Sequence, residues 1–170
     1  RNCVMTVDLI KKSIYAGLGG AIAALLLLWL SDVSGYVLIM APFGASCVIL
    51  FALPESPLAQ PKNVVGGHVL TALVGLLALY FLPQSIWVTA LAVGAGIAVM
   101  VVSKTIHPPA GANPLLILLS GKTFAWSFLM FPVAIGAVSL VCVAAAFHSI
   151  ATRSRYPLPA FSLLRGKNVK

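Results

Sequence analysis

The sequence predicts an all-α, polytopic membrane helix bundle of about six crossings, two of them broken helices in inverted-repeat halves. Three observations predict it. Of 170 residues, 61% are hydrophobic and only 8% are charged, far from the roughly one-quarter charged residues of soluble domains. The apolar residues gather in runs long enough to cross a bilayer, separated by turns rich in Pro, Gly and Ser. Two of these runs carry the same interruption. Ala41-Pro42-Phe43-Gly44-Ala45-Ser46 aligns, 67 positions on, with Pro108-Pro109-Ala110-Gly111-Ala112-Asn113, sharing Pro, Gly and Ala before a small polar residue.

Ser13–Leu30 is the first span, uncharged and close to the hydrocarbon thickness at about 1.5 Å per residue. Ser31–Gly35 is a turn. Gly35–Leu53 has the length to span but is cut by Pro42 and Gly44. Pro54–Asn63, with three prolines and two charges, is a loop that ends on Asn63 as a helix N-cap. Val64–Leu82 is the third span. Pro83-Gln84-Ser85 is a short turn with Ser85 as a cap, and Ile86–Val102 is the fourth span. Ala110–Leu119 covers only about half a bilayer as helix. Gly121-Lys122 closes it, and Thr123–Ile150 is the longest span, with a bend at Pro132.

The charges orient these spans. The net charge of +8 is concentrated at the ends: Arg1, Lys11 and Lys12 in front, Arg153, Arg155, Arg165, Lys167 and Lys170 behind. Basic flanks favour the cytoplasmic side, so both termini are expected there and the number of crossings is even. Residues 1–12 and 151–170 read as basic cytoplasmic segments around a transmembrane domain of residues 13–150. Their partners are membrane lipids rather than nucleic acid. Six crossings place Lys62 and Lys104 inside, with Asp32 and Lys122 outside. Three crossings per half force the halves into opposite orientations. Cys3, Cys47 and Cys142 have no metal-ligand spacing, so no disulfide, metal site or cofactor is implied.

The chemistry is set as much by absence as by presence. Asp8, Asp32 and Glu55 all lie outside the apolar runs, whereas cation carriers place carboxylates within the membrane. The polar residues near the interruptions are cations or hydrogen-bond donors: Lys62, His68, Lys104, His107, Ser46 and Asn113. Helix starts at Gly44 and Ala110 would add backbone N–H groups and positive dipole ends. Gly44 and Gly111 would allow close approach of a ligand. This is the composition of an anion site, with His107, Asn113, Ser46, Gly44, Gly111, Lys104, His68 and Lys62 as its candidate residues. Taken singly, the prolines and glycines also fit helix kinks and packing surfaces, and Lys104 fits a side chain snorkelling to the interface. Gly17, Gly20, Gly94 and Gly96 offer close-approach surfaces for a homodimer. No nucleophile-elbow or metal-ligand motif points to an enzyme.

Three blocks together resemble the HPP family of integral membrane proteins: His107-Pro108-Pro109, Pro42-Phe43-Gly44-Ala45-Ser46, and Ser56–Asn63 followed by Gly66-Gly67-His68. The resemblance extends over roughly residues 13–150. It implies a transporter or channel for a small monovalent anion, nitrite being the leading candidate because cyanobacterial and chloroplast members look like nitrite transporters. The bacterial inner membrane is the expected location. The alternative is a non-transporting sensor or assembly module that binds a small ligand.

Overall fold

The computed structural model describes residues 2–152 and 155–157. The remainder of the expected basic tail, 153–154 and 158–170, and Arg1 lie outside the described residues. Six α-helices are present among the described residues: α1 (Asn2–Ser34), α2 (Ala41–Ala52), α3 (Pro61–Phe81), α4 (Ile86–Val102), α5 (Asn113–Leu119) and α6 (Ile135–Phe147). Short 3-10 turns at Pro57–Ala59 and Pro108–Ala112 precede α3 and α5, and one at Trp126–Leu129 leads towards α6. Three helical stretches have the length and apolarity to cross a membrane: Thr6–Ser34, Pro61–Phe81 and Trp126–Ala151. Ala41–Ala52, Ile86–Val102 and Pro108–Leu119 are shorter apolar helices.

The expected breaks are real, with shifted boundaries. Helix α2 begins at Ala41, not Gly44, because Met40 is extended and Pro42 fits the first turn. The Phe43 N–H closes onto the Met40 carbonyl (2.9 Å), and the Ala110 N–H onto the His107 carbonyl (3.0 Å). Each start therefore uses one of the backbone donors expected to face a ligand. Helix α3 begins at Pro61 with Gln60 at the cap, so Asn63 is not the N-cap. Its side chain instead donates to the Ile106 carbonyl (2.9 Å), tying the start of α3 to the second break. Ser85 caps α4 as expected, accepting from the Val88 N–H at 3.2 Å. Residues 2–12, expected as a basic flank, are helical and continuous with the first span. The bend before α6 falls at Phe131, whose φ of −124° and ψ of 113° are not helical, next to Pro132.

Helix packing repeats between the halves. Helix α1 packs on α2 as α4 packs on α5, α3 on α4 as α6 on α1, and α3 on α5 as α6 on α2. Helix α3 also meets α6, and α2 meets the Pro108–Ala112 turn. The core runs through Leu27, Phe43, Leu50, Val64, Leu76, Ile117, Val133 and Leu140, all nearly inaccessible. Glycines set the closest approaches. A Cβ at Gly136 would strike the Phe43 ring, and one at Gly75 would lie 2.8 Å from Ile117 Cδ1. The outward faces stay apolar, with Leu25, Trp29, Trp87 and Leu91 exposed, as lipid-facing surfaces are. Gly17 and Gly94 open outward, whereas Gly96 lies against Thr71 and Pro114 and is used inside the chain. Gly20 faces Cys47 Cβ at 3.8 Å and is likewise an internal contact.

Candidate functional site

The two breaks deliver their polar residues to one place. Ser46 sits one turn into α2, His68 two turns into α3, His107 just before the double proline, and Asn113 at the start of α5. Ser46, His68, His107 and Asn113, with Thr71, are each 0% exposed. The rings of His68 and His107 are 5.1 Å apart, and Phe43 sets its ring edge-on to His68 at 4.9 Å.

Gly66 and Gly67 explain how the second break reaches His68. A Cβ on Gly66 would stand 2.8 Å from Thr105 Cγ2; one on Gly67 would stand 2.9 Å from His107 Cβ and 3.0 Å from the Thr105 carbonyl. Only a helix without side chains here lets the segment 105–107 lie on its surface. Lys104 turns the chain into that segment at φ 56°, a left-handed conformation that an L residue adopts at a cost.

The hydrogen bonds determine which ring nitrogens carry protons. His107 Nδ1 is 2.8 Å from the Leu58 carbonyl, which only accepts, so Nδ1 carries hydrogen and Nε2 is bare in the neutral ring. Ser46 Oγ lies 2.8 Å from that Nε2 and 3.2 Å from the Pro42 carbonyl, and its one hydrogen goes to the nearer acceptor, Nε2. His68 Nε2, also 2.8 Å from Ser46 Oγ, must then donate to the hydroxyl. His68 Nδ1 is left as an acceptor facing Asn113 Nδ2 at 3.2 Å. All the bonds from Asn113 to the Leu58 carbonyl point one way. Asn113 Nδ2 also donates to the His68 carbonyl (3.0 Å) and to Thr71 Oγ1 (2.9 Å). Thr71 passes its own proton to the Gly67 carbonyl at 2.8 Å. Asn113 Oδ1 alone, among the buried side-chain polar atoms of the described residues, has no partner.

The remaining sequence candidates lie elsewhere. Lys62 and Lys104 are exposed and outside the cluster. Gly44 is exposed and Gly111 half-buried; a Cβ on either would meet nothing within 4 Å. Between the two helix starts lies a cleft of about 470 Å³ walled by Ala41, Pro42, Ala45, Pro108, Pro109 and Ala112, with Leu115 and Leu116. Neither glycine lines it. A larger cleft of about 730 Å³, lined by Lys12, Tyr15, Phe51, Glu55, Ser56 and His148 among others, shares no residue with the cluster. His148, which lines that cleft, is nearly buried and donates from Nε2 to the Leu50 carbonyl (2.8 Å). Thr71 is the functional-type residue that sequence reasoning missed. Its spacing of three from His68 puts both on one helix face, a signal that was there to read.

Chemically, the cluster offers two imidazoles, two hydroxyls and one amide, with no buried charged side chain among the described residues. Asp8, Asp32 and Glu55 are all exposed. The Ser46–His107–carbonyl line has the connectivity of an activated serine. It differs in that Ser46 Oγ is fully buried, receives a second bond from His68, and lines neither cleft.

The HPP transmembrane-region family matches residues 6–157. Two transmembrane proteins of Dictyostelium discoideum are similar. One is 35% identical over 129 residues, covering 72% of this chain and 41% of the relative. The other is 36% identical over 127 residues, covering 71% and 44%. The chain thus spans less than half the length of these relatives. No solved structure matches.

Proposed function

The chain belongs to the HPP transmembrane family, and from this we propose that it carries a small monovalent anion across the membrane, with nitrite as the leading substrate. The observation that carries this reading is the buried convergence of Ser46, His68, His107 and Asn113, drawn from both breaks, with every carboxylate excluded. A buried ion needs compensating donors; the O–H and N–H groups of this cluster are paired with one another at rest and would turn to an anion, with no competing negative charge. The cleft between the helix starts is walled by Ala45, Pro108 and Ala112, the sequence neighbours of Ser46, His107 and Asn113, and in this reading it is the approach to them. Apolar walls make multivalent or strongly hydrated anions costly to admit, which favours a small, singly charged one.

Paired breaks in corresponding positions are the pattern of transporters built from inverted repeats. The repeated packing of α1–α3 and α4–α6 supports two like halves, and the basic ends favour six crossings with both termini cytoplasmic. A homodimer through the outward glycines Gly17 and Gly94 fits the same reading. Light scattering of the detergent-solubilised protein tests it, and only monomer at every concentration would exclude it.

Purified protein in liposomes, assayed for nitrite, nitrate and chloride uptake, tests transport. Saturable nitrite uptake that collapses in His107→Ala is the expected result; binding without flux would instead support a sensor. The activated-serine reading has its own check. Covalent labelling of Ser46 by a serine-directed phosphonate would make the protein an enzyme, whereas its buried, doubly bonded hydroxyl should stay unlabelled.

A further inference from the structure

We propose that His68, Ser46 and His107 form a one-proton relay that loads a single proton with each anion, making transport electroneutral. This rests on the anion-carrier reading. The relay follows from the direction of the hydrogen bonds and from two unmet needs in the cluster. Asn113 Nδ2 has two hydrogens and three acceptors around it, and the longest contact, 3.2 Å, is the one to His68 Nδ1. That lone pair is therefore the weakest-held of the three acceptors around Nδ2. In the same amide, Oδ1 is buried without a donor.

A proton arriving at His68 Nδ1 answers both. The new Nδ1–H bond makes His68 an imidazolium. Its Nε2–H then passes to Ser46 Oγ as the Oγ–H passes to His107 Nε2 along two 2.8 Å bonds. The proton count is conserved at Ser46, His68 ends as the opposite neutral tautomer, and the charge rests on His107. A half-turn of the Asn113 amide sets Oδ1 against the new His68 Nδ1–H and lets Thr71 Oγ donate to it. In exchange the His68 carbonyl loses the Nδ2 hydrogen bond, the Gly67 carbonyl loses the Thr71 hydroxyl, and Nδ2 turns to where Oδ1 stood. The relay ends at His107, because the Leu58 carbonyl beyond Nδ1 accepts a hydrogen bond but cannot pass a proton on.

The coupling comes from what surrounds the pair. Helix α2 presents Phe43 and Ser46, with half-buried Cys47 next in sequence; α3 presents Gly67 and Thr71; the break presents Thr105; α5 presents Asn113. None carries a charge. The charged side chains on these segments, Glu55, Lys62 and Lys104, are all exposed. A protonated relay is therefore a buried cation with no counter-ion, which is unfavourable alone. An anion beside it completes a neutral pair. Each ion makes the other's burial tolerable, so the two travel together.

The test uses the full chain in liposomes holding a pH dye, with nitrite uptake and luminal acidification recorded at several imposed potentials. One proton per anion and no dependence on potential are expected. Ser46→Ala should cut proton and anion uptake together, on the order of a hundredfold. Ser46→Thr, which keeps the hydroxyl, should restore most of both. Nitrogen-15 spectra of wild-type histidine side chains give a second readout: His68 protonated on Nε2 and His107 on Nδ1 at neutral pH. Anion uptake without protons, driven by potential, would overturn the relay and leave anion transport standing. So would the reverse tautomers, or full coupling in Ser46→Ala. Absence of flux for every anion tested would remove the transport reading and the relay with it.

Discussion

Asn113→Asp replaces one amide NH2 by oxygen and keeps the volume, so its effects are electrostatic. Nδ2 stands 2.9 Å from Thr71 Oγ1 and 3.0 Å from the His68 carbonyl. The substitution puts an acceptor where a donor stood and, when the carboxyl is ionised, adds a negative charge at the proposed anion position. At an effective dielectric of about 20, two unit charges about 4 Å apart interact by about 4 kcal/mol. That repulsion corresponds to roughly a thousandfold loss of anion affinity. Asn113→Ala removes the donor without adding charge. For the anion the loss is that of one donor, about 1–3 kcal/mol; the fold loses the two hydrogen bonds from Nδ2 to the His68 carbonyl and Thr71 Oγ1, while Thr71 Oγ1 stays bonded to the Gly67 carbonyl. Concentration-dependent nitrite uptake, normalised to correctly inserted protein, should rank wild type above Asn113→Ala and Asn113→Ala above Asn113→Asp. Thermal unfolding in detergent checks that both variants fold. Equal uptake by Asn113→Asp and wild type, or a smaller loss in Asn113→Asp than in Asn113→Ala, would refute an anion beside this side chain.

Other consequences are equally open to measurement. Gly67→Ala must push His107 and the Thr105 carbonyl away from contacts of 2.9 and 3.0 Å. It should cost about 1–3 kcal/mol of stability and most of the transport, whereas Gly111→Ala, opening onto free space, should leave stability near wild type by the same thermal assay. Lys104 is exposed and remote from the cluster, so Lys104→Glu should lower uptake more than Lys104→Ala, and only at low salt, as long-range steering does; equal rates in the two variants would reduce Lys104 to a snorkelling side chain. Single cysteines at Asp32 and Lys62 should react with impermeant reagents from opposite sides of the membrane, and labelling of both from one side would exclude the six-crossing arrangement. Tyr156 donates to the Ala59 carbonyl at 2.8 Å, and burial pushes its phenol well above its usual range. A raised phenol stabilises the fold fully below the unfolded value, near pH 10, and that contribution is lost as pH rises further. Wild type should therefore lose stability in strong alkali more steeply than Tyr156→Phe in pH-dependent unfolding.

Local chemistry was legible in the sequence where it depended on local rules. Pro42 and Pro109 marked both breaks, and Ser85 marked a cap, because proline geometry and side-chain capping act within one turn. The 67-residue match placed Ser46 and Asn113 in equivalent positions, and these two flank the ring of His68 at its opposite nitrogens. What the sequence hid was set by partners far along the chain. Asn63 has the chemistry of a cap, but Pro61 starts the helix earlier and frees Asn63 to reach Ile106. His148 sits beside the basic tail in sequence, yet it is buried, with the Leu50 carbonyl, 98 positions away, as its partner. Gly44 and Gly111 share a motif with the site yet open to free space, while Gly67 makes the contact on which the site depends. A glycine's neighbour across a helix interface cannot be read from its neighbours in sequence.

The most direct measurement is the distance between a bound anion and the histidine pair. Protein with carbon-13-labelled histidine, reconstituted in bilayers and equilibrated with nitrogen-15 nitrite, allows solid-state dipolar recoupling between the anion and each ring. Hydrogen bonding to the cluster requires a nitrite nitrogen within about 4 Å of an imidazole carbon, with the signal lost on Asn113→Asp. Nitrite that binds with no such coupling to His68 or His107, or coupling unchanged in Asn113→Asp, would contradict an anion site at the paired breaks.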